Sequence, residues 1–121
     1  MNVRIFAAAV LAVVVSAFAA APDDATLKSI ANGHAYQKHV VTQKEYPEIT
    51  SKDAFFTLIK GVTANPTATK NMPKGKTAYW GEGAKTIVIV DPNNADKGTA
   101  FRPTAGRAYF DAQTDVDDVA N

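Results

Sequence analysis

The sequence predicts an α+β fold: two N-terminal helices followed by an antiparallel sheet of three to four strands. Two observations carry this. In the first half the apolar residues recur every three or four positions; from Lys76 onward they turn β-branched and aromatic, in short runs cut by Gly and Pro. The first helix is expected over Thr26 to about Val41, with Leu27, Ile30 and Ala31 on its apolar face and Asp23 or Asp24 at its positive end. Gly33 weakens its middle, so a break or a close backbone contact belongs there. Thr50-Ser51 is a capping site for a second helix, Lys52 to about Ala64. Phe55, Leu58, Ile59 and Val62 form its stripe, and Asn65-Pro66 ends it. Thr67 to Met72 reads as a short helical turn. Thr77–Trp80 and Thr86–Val90 read as a hairpin around Gly81–Ala84, Thr99–Arg102 as a third strand, and Arg107–Phe110 as a short fourth.

The chain begins with Met1-Asn2-Val3-Arg4 and then runs almost wholly apolar from Ile5 to Phe18. Ala17-Phe18-Ala19 and Ala19-Ala20-Ala21 both have the small-x-small form of a cleavage site. Residues 1–20 are therefore expected to be a signal peptide, cut after Ala19 or Ala20, and the stretch is too short for a stable span. Residues 21–121 are expected to form one domain, secreted or periplasmic, with an acidic, frayed tail over 111–121 and no stable membrane association after cleavage. With no cysteine in the chain, packing alone must hold that domain together, which suits a bacterium.

Charge is unevenly placed. Asp23 and Asp24 open the mature chain, and Asp111, Asp115, Asp117 and Asp118 close it. Between them, residues 25–110 carry twelve basic side chains against six acidic ones. A basic body with acidic ends favours a polyanion such as RNA, although a solvated surface carries lysines at this density too.

Both histidines fall in Gly33-His34-Ala35-Tyr36-Gln37-Lys38-His39-Val40. Imidazole is the side chain best suited to give and take protons near neutral pH, and the lysine between the two suits an anion. Five positions on an α-helix differ by about 140°, so His34 and His39 do not share a face, whereas His34 and Lys38 do. That spacing, with no cysteine and no tight acidic cluster, leaves no zinc shell. No G-x-S-x-G elbow or P-loop occurs, which argues against a serine hydrolase and a nucleotide triphosphatase. The second candidate segment is Gly98 to Phe110. It holds Arg102 and Arg107, whose forks suit phosphate, with Thr99 and Tyr109 as hydroxyl donors; equally, its aromatics could be core and its arginines solvated edge. Trp80 is either a base-stacking ring on a basic sheet or a core anchor.

Taken in order, Gly33-His34-Ala35-x-x-Lys38-His39-Val40, Asn65-Pro66-Thr67, Thr77-Ala78-Tyr79-Trp80 and Gly98-Thr99-Ala100-Phe101-Arg102-Pro103 before Tyr109-Phe110 resemble bacterial toxin ribonucleases. The resemblance is to the metal-independent group of barnase, bacterial EndoU, the ribonuclease tips of colicins and RelE-like enzymes, which often form the tips of polymorphic or contact-dependent toxins. It covers about Asn32 to Phe110. Unlike such toxins, the chain is expected to be a free-standing secreted domain without a long delivery region. The resemblance implies an endoribonuclease without cofactor or metal, in which the ribose 2′-hydroxyl attacks phosphorus and leaves a cyclic phosphate. It implies His39 as the first acid or base and His34 as the other. Lys38 and Arg102 would neutralise the phosphate, with Thr99 and Tyr109 orienting it and Arg107 and Trp80 contacting substrate. It also implies an RNA substrate and an acidic immunity protein as partner. The other reading of the same residues is a non-catalytic secreted binding or inhibitor module, with both histidines structural.

Overall fold

A computed structural model of the protein describes residues 21–116; the expected signal peptide and residues 117–121 of the tail lie outside the described residues. Helix α1 (Asp24–Asn32) starts where Asp23 caps it, its carboxylate accepting from the Thr26 N–H at 2.9 Å. Those backbone and side-chain bonds with Thr26 hold the Asp23 carboxyl below its usual range. Leu27, Ile30 and Ala31 form its buried stripe, as the spacing predicts. The expected break falls at Gly33, whose N–H closes the helix onto the Ile30 carbonyl. A Cβ on Gly33 would lie 2.8 Å from Asp96 Cγ, so the close approach is real. Beyond it the chain rewinds as a π-helix over Tyr36–Thr42, not as the continuous α-helix the periodicity predicts.

Helix α2 (Lys52–Ala64) runs between the expected limits, with the Ser51 hydroxyl accepting from the Ala54 N–H. Phe55, Ile59 and Val62 are buried on it. The sheet is a meander of four antiparallel strands in the order β1 (Ala68–Asn71), β2 (Thr77–Gly81), β3 (Thr86–Val90) and β4 (Gly98–Phe101). Its fourth strand is not the expected one. The segment read as a helical turn is β1, pairing Ala68 with Trp80 and Asn71 with Thr77. The segment read as a fourth strand is a short helix, α3 (Arg107–Asp111). Two things override the strand preference of Tyr109 and Phe110. Gly106 turns the chain with φ 64°, and the Lys70 ammonium gathers the carbonyls of Phe110, Asp111 and Gln113 at 2.6–3.0 Å.

Alternation divides the core between the two sheet faces. Tyr79, Val88 and Ala100 face α1 and α2, packing with Leu27, Ile30, Phe55 and Ile59. Ala78, Trp80 and Ile87 face the other way, against Met72 and Phe110. Losing a side chain such as the fully buried Trp80 would cost about 3–5 kcal/mol. Gly98 is required at the start of β4. Its φ is +138°, and a Cβ there would sit 2.0 Å from the Ile89 carbonyl oxygen. Among the described residues no helix is long and apolar enough to cross a membrane.

Candidate functional site

The π-helix positions the centre of the site. Its last wide turn is closed by Gln43 N–H to Lys38 C=O at 2.8 Å, and just beyond it Glu45 N–H donates to His39 C=O at 2.9 Å. Such windings are rare and recur at functional sites. This one carries His39 past the edge of the sheet, where its ring stacks on Phe101 of β4 at 4.9 Å and 20°. The chain then turns through Lys44, a non-glycine residue at φ 54°, and brings Glu45 back to the edge of the same ring.

His39 Nδ1 lies 2.6 Å from Glu45 Oε2. An ionised carboxylate only accepts, so Nδ1 carries the hydrogen and Nε2 of the neutral ring carries the lone pair. Every buried side-chain nitrogen and oxygen among the described residues has a partner. Nε2 has no hydrogen-bond partner among them, so it is the ring nitrogen that meets solvent. His39 is only 7% exposed, and the opening it lines is a hollow of about 390 Å³. The other walls are Lys38, Gln43, Glu45, Phe101, Arg102, the loop Pro103–Ala105 and Tyr109.

Arg102 belongs to this hollow but is largely engaged. Its backbone N–H donates to Glu45 Oε1 at 2.9 Å. Nε donates to the Ala84 carbonyl, and Nη1 to the Glu45 carbonyl and to Glu48, which Nη2 also binds. Four of the five guanidinium N–H groups are thereby used. The guanidinium also lies 4.2 Å from the centroid of the Tyr46 ring. These bonds from Arg102 hold the Glu48 carboxyl below its usual range. Burial pushes the Tyr46 phenol well above its own range, so it stays neutral and shares a hydrogen bond with Thr86 at 2.9 Å. Arg102 therefore fastens the segment 45–48 to β4, with one N–H left over. The hollow's unengaged cation is Lys38, which is exposed and has no acidic partner among the described residues.

Of the residues read from the sequence, the fold brings together His39, Lys38, Arg102 and Tyr109. His34 is elsewhere. Its Nδ1 and backbone N–H meet Asp96 Oδ2 at 2.6 and 3.1 Å, joining the end of α1 to the β3–β4 loop. These bonds hold the Asp96 carboxyl below its usual range. The shared face that α-helical spacing predicts for His34 and Lys38 does not bring the two to one site: His34 sits just past the Gly33 break on Asp96, and Lys38 lines the hollow. Thr99 is half-buried in β4 opposite Ile89, and its side chain does not line the hollow. Trp80 is fully buried, with its indole N–H on Glu82 at 2.8 Å, so it has no open face for a base. Arg107 pairs with Asp111 on α3 at 3.4 Å, outside the hollow.

The sequence reading missed Glu45, Phe101 as the floor of the imidazole, and Gln43. Glu45 had a local signal: it follows His39 by six residues, just past a helix end. The grip of Tyr46 and Glu48 on a guanidinium more than fifty residues away has no local signal. Among the described residues, no three His, Cys, Asp or Glu side chains gather into a metal shell. No protein-family model matches the sequence, and no curated protein matches it.

Proposed function

We propose that this protein is an exported, metal-independent endoribonuclease that cleaves RNA by attack of the ribose 2′-hydroxyl. One observation carries the reading: an imidazole fixed through Nδ1 by a carboxylate opens its other nitrogen on a hollow that also holds Lys38, Arg102 and Tyr109. Glu45 sets the tautomer and offsets the positive charge when the ring is protonated. His39 Nε2 then takes the 2′-hydroxyl proton as O2′ attacks phosphorus. The P–O5′ bond breaks, and water protonates the departing 5′-oxygen. The products are a 2′,3′-cyclic phosphate and a 5′-hydroxyl. Lys38 faces the charge that builds on the phosphoryl oxygens, with the remaining Arg102 N–H in support. His34 has no part in this step, because it does not line the hollow. The expected signal peptide fits export, and the unengaged Lys38 at the hollow fits an acidic immunity protein as the inhibitor.

The test is cleavage of a labelled RNA in the presence of a chelator, with the new ends analysed. Cyclic phosphate is expected, and a single 2′-deoxy substitution at the cut site should stop cleavage there. Intact RNA at micromolar protein would overturn the reading. The engagement of Arg102 by Glu48, Glu45 and Ala84 favours the second reading, a non-catalytic binding module in which the cluster is a structural clasp. That reading expects intact RNA and a fold destabilised by His39→Ala.

A further inference from the structure

One aromatic ring at the hollow is only partly covered by packing. Tyr109 is 37% exposed, and only Val41 joins it as an exposed large hydrophobic side chain among the described residues. Its ring meets Phe101 edge-on at 5.2 Å, and Phe101 stacks on His39 at 4.9 Å. Three rings thus lead from the proton-transferring imidazole to solvent along one wall. The phenol has no hydrogen-bond partner among the described residues, and neither does the side-chain amide of Gln43, which lines the same hollow and is exposed. An exposed ring and an unengaged amide lining one hollow are the pair of groups that holds a flat heterocycle: the ring stacks on its face, and the amide reads its edge. The hollow, at about 390 Å³, has room for one such group.

We propose that the hollow is an adenine subsite, with the base stacked on Tyr109 and its N6 and N7 bonded by the Gln43 amide. A carboxamide offers one donor and one acceptor side by side, which adenine's exposed edge matches with two hydrogen bonds. In single-stranded RNA that edge is open. The position of the base next to the scissile phosphate rests on the ribonuclease reading; recognition of the base does not.

The test uses dinucleotides that cannot react because their 2′-oxygens are methylated, titrated into the protein by calorimetry. The adenosine dinucleotide is expected to bind at least tenfold more tightly than the uridine one. Tyr109→Ala should weaken adenosine binding roughly 10- to 100-fold, and Tyr109→Phe should keep it within about twofold. Gln43→Ala should remove the preference for adenosine. Equal binding of the two dinucleotides, or adenosine binding unchanged by Tyr109→Ala, overturns the subsite. A protein that binds in the expected pattern yet leaves RNA intact overturns the ribonuclease reading and keeps the subsite. A protein that cuts RNA but binds the two dinucleotides alike does the reverse.

Discussion

His39 and His34 make the same bond in two different places. Each presents Nδ1 to a carboxylate oxygen at 2.6 Å, one to Glu45 and the other to Asp96. Around His39 the ring is stacked, nearly buried and open at a single nitrogen on a shaped hollow. Around His34 the side chain is 53% exposed and the pair joins two segments of backbone in water. A histidine–carboxylate pair is therefore no evidence of chemistry by itself. The two are separated by the low-dielectric wall, the neighbouring cations and the room for a substrate, and these come from residues far away in the chain.

The comparison breaks most readily on activity. His39→Ala is expected to lower RNA cleavage by about 10²–10⁴-fold, and His34→Ala to leave it within about threefold, in a gel-based rate assay. Equal losses would erase the distinction between the two sites. Exchanging the carboxylates sharpens it. In Glu45→Gln the amide still accepts from the Arg102 N–H but offers its NH₂ to His39, moving the ring hydrogen to Nε2. Cleavage should fall roughly a hundredfold or more with the fold retained, whereas Asp96→Asn should leave the rate unchanged. Circular dichroism would separate lost chemistry from lost structure.

The smallest effect concerns pH. Glu48 is held below its usual range by Arg102, so the pair stabilises the fold fully above the unfolded carboxyl pKa of about 4.3, and that contribution is lost as pH falls toward the depressed folded value. Glu48 is half-exposed in this pair, which contributes about 0.5 kcal/mol. Wild type should therefore melt about 2–4 °C above Glu48→Gln at pH 6, and the gap should close as pH falls below 4. A gap that persists at pH 2.5 would show that packing, and not charge, is the source.

Legibility in the sequence divides along the same line, between local and distant causes. Helix α2 was readable from Ser51 to Asn65 because cap, stripe and stop all lie within its own residues. So were β2 and β3, whose β-branched and aromatic runs are buried on both faces. Strand β1 was not. Ala68-Thr69-Lys70-Asn71 has almost no apolar residue, and it becomes a strand only by pairing with β2. Nor was α3, whose Tyr109-Phe110 suits a strand until Lys70 caps the last carbonyls from forty residues away. In the site, His39, Lys38 and Arg102 were found by chemical type. The anchoring of Arg102 was hidden, because its partners Tyr46 and Glu48 meet it only in the folded chain.

The winding at Tyr36–Thr42 governs how this region tolerates change. A π-helix holds one residue more per stretch than an α-helix of similar rise, so the bearing of every side chain after it depends on how many residues precede, and only weakly on which they are. Each residue added to or taken from an ordinary helical path turns the rest of the helix by about 100°. Swapping the exposed Gln37 for another polar residue should be harmless, while deleting it would swing the imidazole off its carboxylate. In this segment, length is more tightly constrained than composition.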